Sequence, residues 1–110
     1  MKGEASLERR LAAIRERVER GDYVVSFTHT EKLRERKIGA HDIEAAISNG
    51  VIVEDYPDDA RGPSCLLLGR SGDRPLHVVC GRVEAEQILI ITAYEPDPGE
   101  WESDWRTRRR

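Results

Sequence analysis

The chain has 110 residues, enough for one domain with a single core and too few for two. Hydrophobic residues supply 38% and charged residues 35%, a polar but foldable balance, and with aromatics at only 5% aliphatic side chains must build the core. Lys and Arg number 18 against 21 Asp and Glu, and the net charge of -3 excludes a general pull toward nucleic acid, leaving any such role to a local basic patch.

Leu7, Leu11, Ile14 and Val18 recur at the spacing of an amphipathic helix, with Arg9, Arg10, Glu16, Arg17 and Glu19 between them. Ser6 is the expected cap and Gly21 the expected stop, which gives an N-terminal helix within residues 1–22. Y-V-V-S-F, residues 23–27, is β-branched and aromatic enough for a short strand, or equally for extended coil. Thr28 followed by Glu31 has the form of a capping box, so His29 is expected to open a helix. At about 100° per residue, His29, Lys32, Leu33 and Arg36 share one stripe, cationic with a single apolar anchor.

Gly39 interrupts that helix, and A-H-D-I-E-A-A-I-S resumes with Ile43, Ala46 and Ile47 on its buried side and Asn49-Gly50 as its stop. V-I-V-E-D-Y-P reads as a strand ending at Pro57, and D-D-A-R-G-P as a loop. S-C-L-L-L-G-R and P-L-H-V-V-C-G-R flank S-G-D-R, where Gly72-Asp73 suits a type II′ hairpin turn. That turn sets the register: Ser71 faces Arg74, Arg70 faces Pro75, Gly69 faces Leu76, Leu68 faces His77, Leu67 faces Val78 and Cys65 faces Cys80. One face then carries Cys65, Leu67, Leu76, Val78 and Cys80 as core, and His77 looks the other way beside Leu66, Leu68 and Val79. Q-I-L-I-I-T-A-Y-E-P is a last strand; a turn about Ala85-Glu86 brings Tyr94 opposite His77 with Thr92 beside it. The expected fold is α+β, with N-terminal helices packed on one face of a roughly four-stranded antiparallel sheet in a single domain, residues 1–110.

No apolar run approaches the roughly 18 residues that span a bilayer, and M-K-G-E-A-S-L-E-R-R lacks the apolar core of a secretion signal. A cytoplasmic protein with no membrane partner is therefore expected. In a reducing compartment Cys65 and Cys80 are expected as free buried thiols, although they could pair.

F-T-H-T-E-K-L-R-E-R, D-I-E-A-A-I-S-N-G, E-D-Y-P-D-D, P-S-C-L-L-L-G, R-P-L-H-V-V, I-I-T-A-Y-E-P-D and W-E-S-D-W-R, taken in order from about Phe27 to Arg106, resemble the domain of unknown function 4258 family. The resemblance implies a fold similar to that of the RelE, barnase and colicin group of metal-independent ribonucleases, which includes bacterial toxins of toxin-antitoxin pairs. Its motif histidine falls on His29, its arginine on Arg36, its strand histidine on His77, and its T-x-Y-x-P element on Thr92, Tyr94 and Pro96. Thr30 and Leu33-Arg34 stand where such domains have H-A and R-M.

RNA cleavage without a metal needs a base for the 2′-hydroxyl, cations for the phosphate and an acid for the leaving oxygen. Histidines titrating near pH ~6.5, a bidentate guanidinium and a phenol suit those tasks. The expectation is thus a ribonuclease-like, toxin-type domain with His29, Arg36, His77 and Tyr94 as catalytic residues and Lys32 and Thr92 on the RNA, needing no cofactor or metal, with an RNA substrate and an antitoxin-like protein as partners. Each residue also has a plainer use: His29 as a helix-start hydrogen bonder, Arg36 as a solvated helix residue, His77 as a half-buried strand residue, Tyr94 as a sheet-edge ring. The alternative function is a non-catalytic module that binds a protein or nucleic acid on the same scaffold. His41 is expected to be merely exposed, Glu54, Asp55, Asp58 and Asp59 to be turn residues, and Trp101 and Trp105 to staple a C-terminal helical turn onto the body.

Overall fold

Helix α1, Lys2–Glu19, presents Ile14 and Val18 to the core and stops at Gly21. Gly21 takes φ 78, its N–H bonds the Val18 carbonyl at 3.0 Å, and the Asp22 N–H bonds Arg17 at 2.8 Å. This is a Schellman end, which a left-handed glycine makes without strain. The computed structural model describes residues 2–110, and for residues 2–5 and 27 the backbone only. Ser6 lies inside α1 and does not cap it.

Strand β1, Tyr23–Val25, leads into a 3-10 turn over Phe27–His29 and helix α2, Thr30–Glu35. The expected Thr28 cap does not form, because the 3-10 turn has already wound Thr28 into the helical path. His29 stands at the N-cap without a side-chain cap bond. The Ser26 carbonyl instead accepts from the His29 N–H at 3.1 Å and the Thr30 hydroxyl at 3.2 Å. Helix α3, Ala40–Ser48, does carry a capping carboxylate: Asp42 accepts from the Gly39 N–H at 2.8 Å.

Strands β2, Val51–Tyr56, β3, Ser64–Ser71, β4, Arg74–Gly81, and β5, Ile88–Tyr94, follow. The sheet has five strands in the order β1-β5-β4-β3-β2, and β1 runs parallel to β5, so the expected four-stranded antiparallel meander is corrected to a mixed sheet. The reason is local. Both sides of the β1–β5 pair are apolar, Tyr23 and Val25 against Ile88 and Ile90, and the long connection between them, which holds α2, α3 and the strands β2 to β4, supplies the crossover that parallel pairing requires. The β3–β4 register is the one set by Gly72-Asp73, with Gly72 at φ 62, and His77 pairs with Tyr94.

The core lies between the helices and one sheet face, where Ile14, Ile43, Ile47, Leu67, Leu76, Val78, Ile88 and Ile90 are buried. Cys65 and Cys80 are free thiols side by side there; the hydrogen bond between them, then burial, pushes Cys80 well above its usual range. Asn49, just past α3, behaves as a strand neighbour. Its amide donates to the Arg70 carbonyl and accepts from the Arg70 N–H, both at 2.8 Å, which ties α3 to β3.

Candidate functional site

On the opposite sheet face, His77 and Tyr94 do meet, with ring centroids 5.5 Å apart, but His77 does not face solvent and Tyr94 does so only in part. The residues after β5 fold back as a strap. Trp101 bridges Arg108 in antiparallel fashion, the Glu102 N–H bonds Thr107 at 2.8 Å, and the Arg109 N–H bonds Glu100 at 2.8 Å. Asp104 holds the turn, accepting from the N–H groups of Arg106 at 2.9 Å and Thr107 at 3.0 Å; these bonds hold its carboxyl below the usual range. The expected C-terminal helical turn is therefore a small hairpin: an acidic turn residue at Asp104 and a left-handed Trp105 at φ 60 reverse the chain where a helix would have continued it.

The strap closes over His77. Trp101, 2% exposed, stands edge-on to the imidazole at 4.5 Å, and His77 itself is 0% exposed. Its Nε2 lies 2.7 Å from the Trp105 carbonyl and so carries the proton, leaving Nδ1 as a buried acceptor without a partner. The Arg108 guanidinium sits 4.6 Å over the Trp101 ring and grips Glu54 through two bonds, at 2.7 and 2.9 Å. Tyr56 also bonds Glu54.

Burial holds His77 below the usual histidine range, against the pull of the Trp105 carbonyl and Glu54. A base depressed in the folded state binds protons more readily when unfolded, so stability rises with pH through that window. The contribution is complete above the unfolded value of about 6.5 and is lost as pH falls from there toward the folded value. We expect the urea midpoint to drop between pH 7.5 and 5.5, tracked by the His77 ring signals in NMR; a flat midpoint would contradict the sealed neutral ring.

The other expected residues fall elsewhere. Arg36 ends α2, and its guanidinium donates to the Thr92 hydroxyl at 3.2 Å and the Ala93 carbonyl at 2.9 Å, so Arg36 and Thr92 together clamp α2 to β5. Lys32 is exposed on α2, and His41 is exposed at the start of α3. His29 and His77 line no common cleft among the described residues, because the strap occupies the space in front of His77.

His29 opens instead on a separate cleft of about 330 Å³. Ser26, Thr28 and Ser64 bring hydroxyls to it, Arg61 and Arg82 bring guanidinium groups, and Gly81 and Ile91 form part of its wall. The His29 Nδ1 is buried without a partner. Asp59 is already committed, accepting from Ser64 at 2.9 Å and from the Arg61 N–H at 3.0 Å, and these bonds, the backbone one first, keep it ionised to lower pH than usual. Arg61 leans on Asp59 at 3.6 Å, whereas Arg82 makes no ion pair among the described residues. Arg82 also stands in the left-handed region at φ 53, which lifts its side chain out of the β4 pleat. Sequence reasoning read D-D-A-R-G-P only as a loop and passed over Arg82; an arginine directly after Gly81 at a strand end was the available signal. Among the described residues no group of three or more His, Cys, Asp or Glu side chains is placed to hold a metal ion, and no helix is long and apolar enough to cross a membrane.

These features define an α+β domain with helices on one face of a mixed sheet, an aromatic strap on the other and a polar cleft at the strand ends. Residues 29–95 match the family described as Domain of unknown function (DUF4258), and the chain belongs to that family. No curated protein and no solved structure matches it.

Proposed function

We propose that this domain acts on single-stranded RNA at the His29 cleft, cleaving it without a metal. In this reading Arg82 and Arg61 hold a backbone phosphate, the hydroxyls of Ser26, Thr28 and Ser64 orient it, and His29 takes the proton of the 2′-hydroxyl as its oxygen attacks phosphorus and returns it to the 5′ oxygen as the P–O5′ bond breaks. The observation that carries the reading is a histidine lining a cleft that also holds the Arg82 guanidinium, which makes no ion pair among the described residues. The expected His77, Tyr94, Arg36 and Thr92 then serve to build the sheet face and its clamp, and Lys32 adds positive charge on α2.

A second reading is supported by a different observation. With His77 sealed and Asp59 engaged by Ser64 and Arg61, the cleft offers one imidazole where cleavage of this kind ordinarily uses both an acid and a base. A module that binds RNA and leaves it intact fits that arrangement.

Incubating the protein with single-stranded RNA in excess chelator separates the two. Cleavage should leave 2′,3′-cyclic phosphate ends, fall at least about a hundredfold in His29→Ala, and persist in His41→Ala. Arg82→Ala should weaken binding roughly tenfold, with a shallower salt dependence. Retention of uncut RNA that depends on Arg82 would establish the binding module, and neither binding nor cleavage would overturn both readings.

A further inference from the structure

Strand β1 is an edge of the sheet. Its Asp22 and Ser26 flanks bond β5, through Asp22 to the Ile88 N–H at 3.0 Å and through Ser26 to Ile90 at 2.8 Å. In a parallel ladder alternate residues face the same neighbour, so Val24 also bonds toward β5 and the N–H and C=O groups of Tyr23 and Val25 point outward. Three residues make the strand too short to hold a mate by backbone bonds alone, so side-chain pockets must decide what joins it.

Such a pocket lies alongside. A groove of about 430 Å³ runs between Val25, α2 and the start of α3, floored by Val25, Leu33, Ile38 and Ile43. Its charged lining residues are Arg34 and Lys37, both exposed, with no carboxylate among the groove's residues. In a chain of net charge -3 this is a locally cationic rim on an apolar trough. The Lys37 backbone is fixed in place: it takes φ 58, closes α2 by a bond to Arg34 at 3.0 Å, and its carbonyl receives Arg74 at 2.7 Å.

We infer that the β1 edge and this groove together form a docking surface for an extended segment of a partner protein whose groove-facing positions, every second residue, carry apolar side chains followed by acidic ones. The backbone of the segment pairs with Tyr23 and Val25, and of the side chains that alternation turns toward the groove, the apolar ones enter the trough and the acidic ones meet Arg34 and Lys37 at its rim. A second copy of this chain is disfavoured as occupant, since pairing two β1 edges would bring the two cationic rims together. An RNA strand is disfavoured by the apolar floor and the free peptide groups. The inference does not depend on the RNA reading.

The probe is an eight-residue peptide with valine at its second and fourth positions, glutamate at its sixth and eighth and threonine between, titrated into the isotope-labelled full chain in NMR, beside a matched peptide with lysine in place of glutamate. Saturable shifts confined to β1, α2 and the start of α3, seen with the glutamate peptide alone, are expected. Arg34→Glu/Lys37→Glu, both at exposed positions, should fold normally and weaken that binding at least tenfold while admitting the lysine peptide. A glutamate peptide methylated on the backbone nitrogens that would face β1 should bind at least tenfold more weakly. No shifts in β1, equal binding of both peptides, or indifference to backbone methylation would overturn the inference.

Discussion

Gly69→Ala is expected to be strongly destabilising, with a loss of about 3–5 kcal/mol out of a total stability for such domains of about 5–15 kcal/mol. A Cβ at residue 69 would lie 1.8 Å from the Ala46 carbonyl oxygen and 2.7 Å from the Ala46 Cα. Both atoms are backbone of α3, so no rotamer change relieves the overlap; the helix itself must lift from β3. Lifting it also strains the paired bonds from Asn49 to Arg70 and opens the contacts of Ile43 and Ile47 with the sheet. Gly39→Ser is the control. Its Cβ would meet only an Asp42 carboxylate oxygen at 3.7 Å, and a serine N-cap on α3 should match or slightly raise stability. Urea unfolding followed by far-UV circular dichroism compares the two; a cooperative Gly69→Ala transition at the wild-type midpoint would refute the close packing of α3 on β3.

Trp101→Ala is expected to cost about 3–5 kcal/mol, the range for emptying a buried aromatic site. Truncation removes the wall against His77 and the surface under Arg108, and it loosens the bridge that holds the strap closed. The diagnostic consequence lies in His77. Once water reaches the ring, the main cause of its depressed titration is gone, and its NMR midpoint should move up toward the ordinary histidine range. Trp101→Phe keeps much of the contact and should show a smaller shift in the same direction. If both variants leave His77 untitrated across the same range, something other than the strap excludes solvent from it.

Much of the scaffold could be read from the residues because local chemistry fixed it. The glycine of Gly72-Asp73 set the β3–β4 pairing, and alternation sorted Leu67, Leu76 and Val78 from His77. The parallel partner of β1 could not be read, since three residues carry no periodicity and the mate lies far along the chain. His77 shows the same limit at the site. Alternation places it on the face away from the helices, but that face is not solvent, because a segment rich in charge folds over it and buries one tryptophan. Composition signals exposure for W-E-S-D-W-R-T-R-R-R, and a single aromatic anchor with a bidentate arginine overrides it. Arg36 was found as a cation and misjudged in direction: it donates to Thr92 and Ala93 of β5, while His29 lines a separate cleft and Lys32 stays exposed, so the cationic stripe drawn on α2 does not form one surface.

The union of Tyr23 with Ile88 means that the first strand of this sheet to leave the ribosome waits for the last of the same sheet. The strands from Val51 to Tyr94 connect in simple succession and can zip without help, whereas seating Tyr23–Val25 must close a loop spanning most of the polypeptide, with its full entropic toll. A nascent chain therefore spends an interval with four strands assembled and one flank of β5 bare, a ribbon edge on which quality-control factors or a premature mate can act before maturation ends.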